Sequence, residues 1–476
     1  MAVSKLARFA PYGLALMAIW LIVLTARHGS VTSFENWEAA GGDIQRVATG
    51  KFITGPAGHY KPKVWNPAEF KDAWLDTQLG GEFDGSRIAH FCNKTKWRDD
   101  IVLHMRHSRG GLGNVRGTIL DFLYAAMLFG TPIIMPAYVK RTDANLDWMN
   151  EDNGYHEYGN LFDKDWLLEN LEKYCPQLTI YPTADDAPIT ATLKNEYGLM
   201  NARSDKDADR NELAFIKNLN GWLETQDDYV KGLPTLIPTI ACFLNFDMES
   251  KPELRKALGG LVRISPALRE LAAEAVWAMY ERYGLEAALD PREELHRSAY
   301  CGVHLRTEDD AVRSGWTGGM YGGFDEQTDS HIEICGALGL RVIYVATGER
   351  RDISRFAEKA MDRAGITVVS KINLLNSPEM ETVMQNLTWD QQGVLDYEVL
   401  SRSSFFTGPV MSSFSWNLAI RRHFNTEGDG STHWNNPYSI QEDEPRTTFY
   451  DGISKLILRP ARPDFLESFS PRGMFP

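Results

Sequence analysis

Residues able to do chemistry concentrate in the stretch CGVHLRTEDD, Cys301 to Asp310. An apolar run, Ala299 to Leu305, delivers a histidine and then an arginine, and three acids follow. In an extended chain alternate side chains share a face, so His304 and Arg306 project together. A guanidinium at the carboxyl end of a strand suits a diphosphate, because its planar fork engages two oxygens at once. The plainer role for Arg306 is a salt bridge to Glu308 or Asp310. His304 suits a base edge or a phosphate, or packs as an ordinary structural histidine. A second element, GPVMSSFSWNLAIRRH, runs a glycine–proline turn into Ser412, Ser413, Phe414 and Ser415 and then a helix. Unpaired backbone N–H groups and hydroxyls at a helix N-terminus form an anion site. Ser412 or Ser413 equally serves as the helix cap. The third element is SRGGLGNVRG, Ser108 to Gly117. Its glycines, Gly111 and Gly113 among them, let backbone approach a ligand closely, with Asn114 and Arg116 expected near a cleft. It is not the phosphate loop of ATPases, since no Gly-Lys-Ser/Thr follows, and its spacing differs from the dinucleotide fingerprint.

These residues need a frame that brings them together. Ile101–Met105 reads as a strand, Arg109–Asn114 as a glycine-rich turn, Val115–Phe129 as a helix and Ile133–Met135 as a second buried strand. That is the first step of a parallel α/β sheet. Residues 140–235 read as loops and short helices, and Pro266–Tyr283 as a long helix. The alternation resumes with strands at Ala299–Leu305, Leu340–Ala346, Ile366–Ser370 and Phe405–Gly408. Helices at Asp329–Leu338, Asp352–Ala364, Gln391–Ser404 and Ser412–Arg422 separate them. The expectation is two Rossmann-like, doubly wound domains, 86–298 and 299–476, facing a cleft. Ligands in such sheets sit beyond the carboxyl ends of the strands, which is where His304 and Arg306 fall.

Composition sets the bounds. The 476 residues suit two domains plus extras, and 43% hydrophobic with 24% charged content fits a globular chain. A net charge of −14 argues against nucleic acid as a partner, which needs a basic face. Residues 9–26 carry no charge and reach the lower length of a bilayer span. They read as a signal anchor, the alternative being a cleaved signal peptide. The anchor reading makes 1–8 a cytosolic tail, 27–85 a stem and the remainder lumenal, a single-pass type II protein of the endoplasmic reticulum or Golgi. The sequons at Asn93 and Asn386 support a secretory route. Of five cysteines, one or two bridges are expected and at least one sulfur is left over. No cysteine spacing resembles a zinc site, and acid runs such as Asp185-Asp186, Asp227-Asp228 and Asp205-x-Asp207-x-Asp209 read as solvated surface.

Four stretches in order, GGLGNVRGTILDFLYAAMLFGTPIIMP, GVHLRTEDDAVRSG, VIYVATGE and LDYEVLSRSSFFTGPVMSSFSWNLAIRR, resemble the successive motifs of the GDP-fucose O-fucosyltransferase superfamily. The resemblance is closest to its plant-type branch, while the SSFS element is similar to the protein O-fucosyltransferases. It covers residues 101–136 and 299–423. It implies a GT-B fold, an inverting mechanism, GDP-fucose as donor and no required metal or other cofactor. It implies that His304 and Arg306 contact the sugar nucleotide, Arg306 on the diphosphate. Ser413, Phe414 and Ser415, with Ser412 beside them, would hold phosphate and base. Asp396 stands where the family has an acid that reads guanine, and Asn114 and Arg116 would lie across the cleft. The plant branch usually lacks the serine pair and includes enzymes that use UDP-rhamnose, so the donor stays open between the two. Residues 137–298 match no named motif, and the choice of a protein or glycan acceptor is expected there.

The chemistry agrees. Cleaving sugar from diphosphate builds positive charge on the ring and negative charge on the leaving group. An arginine and a helix N-terminus neutralise that leaving charge. The acceptor hydroxyl needs a base, and Glu308 and Asp310 are the nearest acids in sequence. The competing expectations are an inactive nucleotide- or glycan-binding protein on the same scaffold, or a membrane-anchored hydrolase. The hydrolase would want a Gly-x-Ser-x-Gly elbow, which the sequence lacks.

Overall fold

The alternation of apolar runs with helical spacing becomes two all-parallel sheets in the computed structural model. It describes residues 64–426, 452–457 and 474–476, less 106, 107, 109, 143–145, 147–153, 200–211, 241–245, 247, 249, 287, 320, 321 and 411. The first half contributes β1 (Ile101–Met105), β2 (Ile133–Ile134), β3 (Ala137–Val139), β4 (Tyr155–Glu157), β5 (Ile180–Tyr181), β6 (Ala191–Thr192), β7 (Tyr197–Gly198) and β8 (Thr235–Ile240). Its main sheet runs β5-β2-β1-β8-β6 with β7 also on β8, while β3 and β4 pair as a separate antiparallel ribbon. The second half contributes β9 (Cys301–His304), β10 (Val342–Ala346), β11 (Thr367–Val369), β12 (Phe405–Pro409) and β13 (Ser454–Ile457), in the order β11-β10-β9-β12-β13. In each sheet the first strand lies inside, and the order reverses around it. The reversal opens a crevice at the carboxyl ends of β1 and β8, and another at those of β9 and β12.

Strand periodicity explains the covering of the second sheet. Val342, Tyr344 and Ala346 of β10 join the larger core, and Ile343 and Val345 join a second one. Alternate side chains therefore reach opposite faces. The helices Phe324–Ala337 and Arg350–Ala364 cover one face, and Trp389–Ser401 covers the other. The helix Leu112–Phe129 is buried at every residue except Asn114, its polar Arg116, Thr118 and Asp121 included.

Three differences from the sequence reading have physical causes. Strand β8 is not among the expected strands; Pro234 precedes it and Pro238 interrupts it, and a proline cannot donate to a central ladder. Here β6 pairs with Thr235 and Leu236 and β7 with Thr239 and Ile240, so Pro238 falls between the two contacts. Strand β13 follows a long polar stretch and was not expected at all. Residues 64–85, read as the end of a stem, include the helix Pro67–Asp76, capped by Asn66. Phe70 and Trp74, one turn apart, are fully buried, and Phe70 meets Trp277 of the helix Pro266–Tyr283 at 5.3 Å between ring centroids. The expected anchor, 9–26, lies outside the described residues. Among the described residues no helix is long and apolar enough to cross a membrane. Disulfides join Cys92 to Cys175 and Cys301 to Cys335; Cys242 lies outside the described residues.

Candidate active site

His304 ends β9, and Ser415 lies in the first turn of the helix Ser413–Thr426 that follows β12. Their side chains meet across the crevice, His304 Nδ1 to Ser415 Oγ at 2.8 Å. Gly408 makes the meeting possible, since a Cβ there would stand 2.5 Å from Ser415 Oγ and 3.1 Å from His304 Cβ. Phe414 packs on the His304 ring at 4.6 Å and meets Tyr397 edge-on at 5.5 Å. Burial pushes the His304 imidazole down to about 4, so it is neutral at physiological pH.

The helix Leu112–Phe129 follows β1 and points its N-terminus at the same place. A Cβ on Gly113 would overlap the Ser413 carbonyl and stand 2.8 Å from Phe414 N. Only a glycine lets the two helices touch backbone to backbone there. The positive ends of two helix dipoles, one from each sheet, therefore abut. Asn114 adds a carboxamide in the same turn, its Oδ1 buried with no hydrogen-bond partner among the described residues.

Two residues beyond His304, the Arg306 guanidinium binds Glu308 through Nη1 and Asp310 Oδ2 through Nη2, the latter at 2.5 Å. Its main chain is fixed by Gln327, which accepts from Arg306 N at 3.0 Å and donates to Arg306 O at 2.9 Å. Burial opposes the arginine's charge, but the two carboxylates more than offset it and raise its affinity for a proton. Burial alone would also raise Glu308. Arg306, His304 and the Gly348 N–H, which donates to Glu308 Oε1 at 2.8 Å, instead hold it down at about 2. Glu308 thus has both oxygens engaged and is too weak a base to take a hydroxyl proton. The expectation that it acts as catalytic base is corrected on that ground. Asp310 keeps Oδ1 buried and unpartnered among the described residues.

Two other expectations change. Arg116 does not face the cleft. It is buried and donates to the carbonyls of Gly259 at 2.5 Å, Pro476 at 2.6 Å and Val262 at 3.2 Å. Asp396 is buried beneath β10, where it accepts from Tyr344 Oη at 2.7 Å and Lys371 Nζ at 2.5 Å, so no base edge reaches it. Asn93 and Asn386 are exposed at the ends of helices. The sequence reading missed Arg141, which binds Asp390 in the first turn of the helix Trp389–Ser401. The partners are 249 residues apart, and no local pattern links them.

A family model described as GDP-fucose protein O-fucosyltransferase matches residues 102–425, well over half of the chain and spanning both sheets. The chain belongs to the GDP-fucose protein O-fucosyltransferase family. It is accordingly a glycosyltransferase, and His304, Arg306, Ser415 and Asn114 all lie within the matched span. No curated protein matches it. Among solved structures the chain is similar to POFUT1 in complex with GDP-fucose, at 13% identity over 68% of this chain and 94% of that one, with a TM-score of 0.41. It is similar to NodZ alpha-1,6-fucosyltransferase soaked with GDP-fucose, at 10% identity over 69% and 93%, with a TM-score of 0.36. A mutant of Arabidopsis thaliana FUT1 in complex with GDP aligns at 12% identity over 77% and 80%, with a TM-score of 0.33.

Proposed function

We propose that this O-fucosyltransferase family member is an inverting GT-B enzyme, in which a hydroxyl of a protein or glycan acceptor displaces GDP from GDP-fucose without a required metal. The observation that carries the reading is the convergence of two helix N-termini beside Arg306 and the His304–Ser415 pair. The acceptor oxygen forms a bond to the sugar's anomeric carbon on the face opposite the diphosphate. The carbon–oxygen bond to the diphosphate breaks, and GDP leaves with the electron pair. Helix ends contribute about 1 kcal/mol each to an anion, and a charged hydrogen bond about 1.5–3 kcal/mol. Arg306 is therefore the larger single contributor to the leaving group, with the helix ends and Ser412 and Ser413 beside it. Phe414 and neutral His304 form the wall against which the nucleoside packs. Asp310 Oδ1 takes the hydroxyl proton. Two disulfides and exposed Asn93 and Asn386 support an oxidising, lumenal setting.

Calorimetric titration with GDP and with UDP, in chelator, tests the donor. GDP binding that disappears in a folded Arg306→Ala variant is expected. Preference for UDP would replace GDP-fucose with a UDP-sugar, and binding of neither nucleotide would favour an inactive scaffold.

A further inference from the structure

We propose that Arg141 is a second cation for the leaving diphosphate, held on Asp390 until the donor arrives. The inference rests on the donor reading above. Arg141 follows β3, on the chain that serves the first sheet, and reaches the helix Trp389–Ser401 of the second half. Its Nη2 and Nε donate to a single oxygen, Asp390 Oδ1, at 2.5 and 3.1 Å. The two side chains are only 13% and 2% exposed. The other Asp390 oxygen, Oδ2, is buried without a hydrogen-bond partner among the described residues. The pair is thus lopsided, with one carboxylate oxygen serving two donors.

The surroundings of Arg141 supply the second observation. A Cβ on Gly111 would lie 3.4 Å from Arg141 Nη2, and Gly111 is the N-cap of the helix Leu112–Phe129. The first turn of a helix attracts anions and repels cations. A guanidinium parked there is electrostatically misplaced unless an anion joins it. Asp390 is the resident anion, and a diphosphate would be a stronger one. Arg306 needs the help, because one cation against Glu308 and Asp310 leaves a net negative cluster. A guanidinium has five donors, and the bonds to Asp390 use two of them. The proposal gives the nucleoside to Phe414 and His304 and the phosphate bonded to the sugar to Arg141, which lies instead at Gly111, the N-cap of the facing helix.

Calorimetric binding of GDP and of GMP to the full chain separates this role from a structural one. Arg141→Met should weaken GDP about 10- to 100-fold, the worth of a charged hydrogen bond, while changing GMP less than about threefold. Asp390→Asn should tighten GDP severalfold, because it removes the competing carboxylate. Equal losses for GDP and GMP, or an unchanged GDP affinity, would overturn the proposal. If Arg141→Met does not fold, Asp390→Asn decides, since unchanged or weaker GDP binding overturns it as well. A wild-type chain that binds no GDP at all would sink the donor reading and this inference with it, an outcome distinct from a wild type that binds and a variant that does not respond.

Discussion

Glu308 and Asp310 flank the same guanidinium, yet the proposed mechanism gives them different work. Glu308 is held at about 2 with both oxygens engaged, so it secures Arg306. Asp310 retains one oxygen for a proton. Asp310→Asn should lower turnover about 100-fold or more, within the range for a general base, in addition to the rise in donor KM that follows from weakening its own bond to Arg306. Glu308→Gln should raise the donor KM alone, by loosening Arg306. Steady-state kinetics on both variants checks the split, and identical losses in the two would refute it. At this scale the sequence was informative but incomplete. The types and spacing of His304, Arg306 and Ser415 pointed to an anion site, because their positions follow from strand alternation and a helix start. Arg116 and Asp396 sit in equally suggestive local sequence, but their partners come from distant segments, and only tertiary structure shows that those partners occupy them.

Among the elements, strand β9 and the helix Phe324–Ala337 form the mechanical unit of the site. The strand supplies His304 and leads into Arg306, and the helix supplies Gln327, which fixes the Arg306 main chain on both its N–H and its carbonyl. The Cys301–Cys335 bridge staples the two together across a separation of 34 residues. A loop of that length is worth about 4 kcal/mol in the chain-entropy account. Replacing both cysteines with alanine should therefore lower the unfolding free energy by about 2–4 kcal/mol in urea denaturation. It should weaken GDP binding as well, since the unit that positions Arg306 loosens. A stability loss with donor affinity untouched would show that Gln327 alone is enough. These elements were legible, the strand to within two residues and the helix with its start five residues late, because strongly periodic apolar segments lie between glycine and proline stops. Strand β8 was not, since its proline is tolerated only through a gap between β6 and β7 that no local pattern encodes.

For the molecule as a whole, three buried histidines set the response to acid. Burial pushes His296 and His331 down to about 3 and His304 to about 4. The unfolded chain protonates near 6.5. Below that pH it binds protons the fold refuses, so stability is full above about 6.5 and falls as pH drops toward the folded values. At pH 5 each histidine costs about 2 kcal/mol relative to pH 7, and together they approach a typical net stability. Denaturant midpoints measured between pH 7.5 and 5 should fall steeply, and His331→Phe should flatten the slope by about a third. A midpoint that holds constant over that range would contradict the burial of these rings.

The bond from Arg116 to the Pro476 carbonyl spans 360 residues. Chains grow at roughly 5–20 residues per second, so Arg116 is made roughly 20–70 s before this partner exists. The same late tripeptide places Phe475 against Asn417, in the helix that abuts Gly113. The junction where the two helix ends meet therefore waits on residues made long after either helix. The second sheet takes its last strand from Ser454–Ile457, whereas the junction of the helix ends also needs contacts from Phe475 and Pro476, so a chain stalled between those segments would hold the strands of both sheets without the contacts that brace the junction.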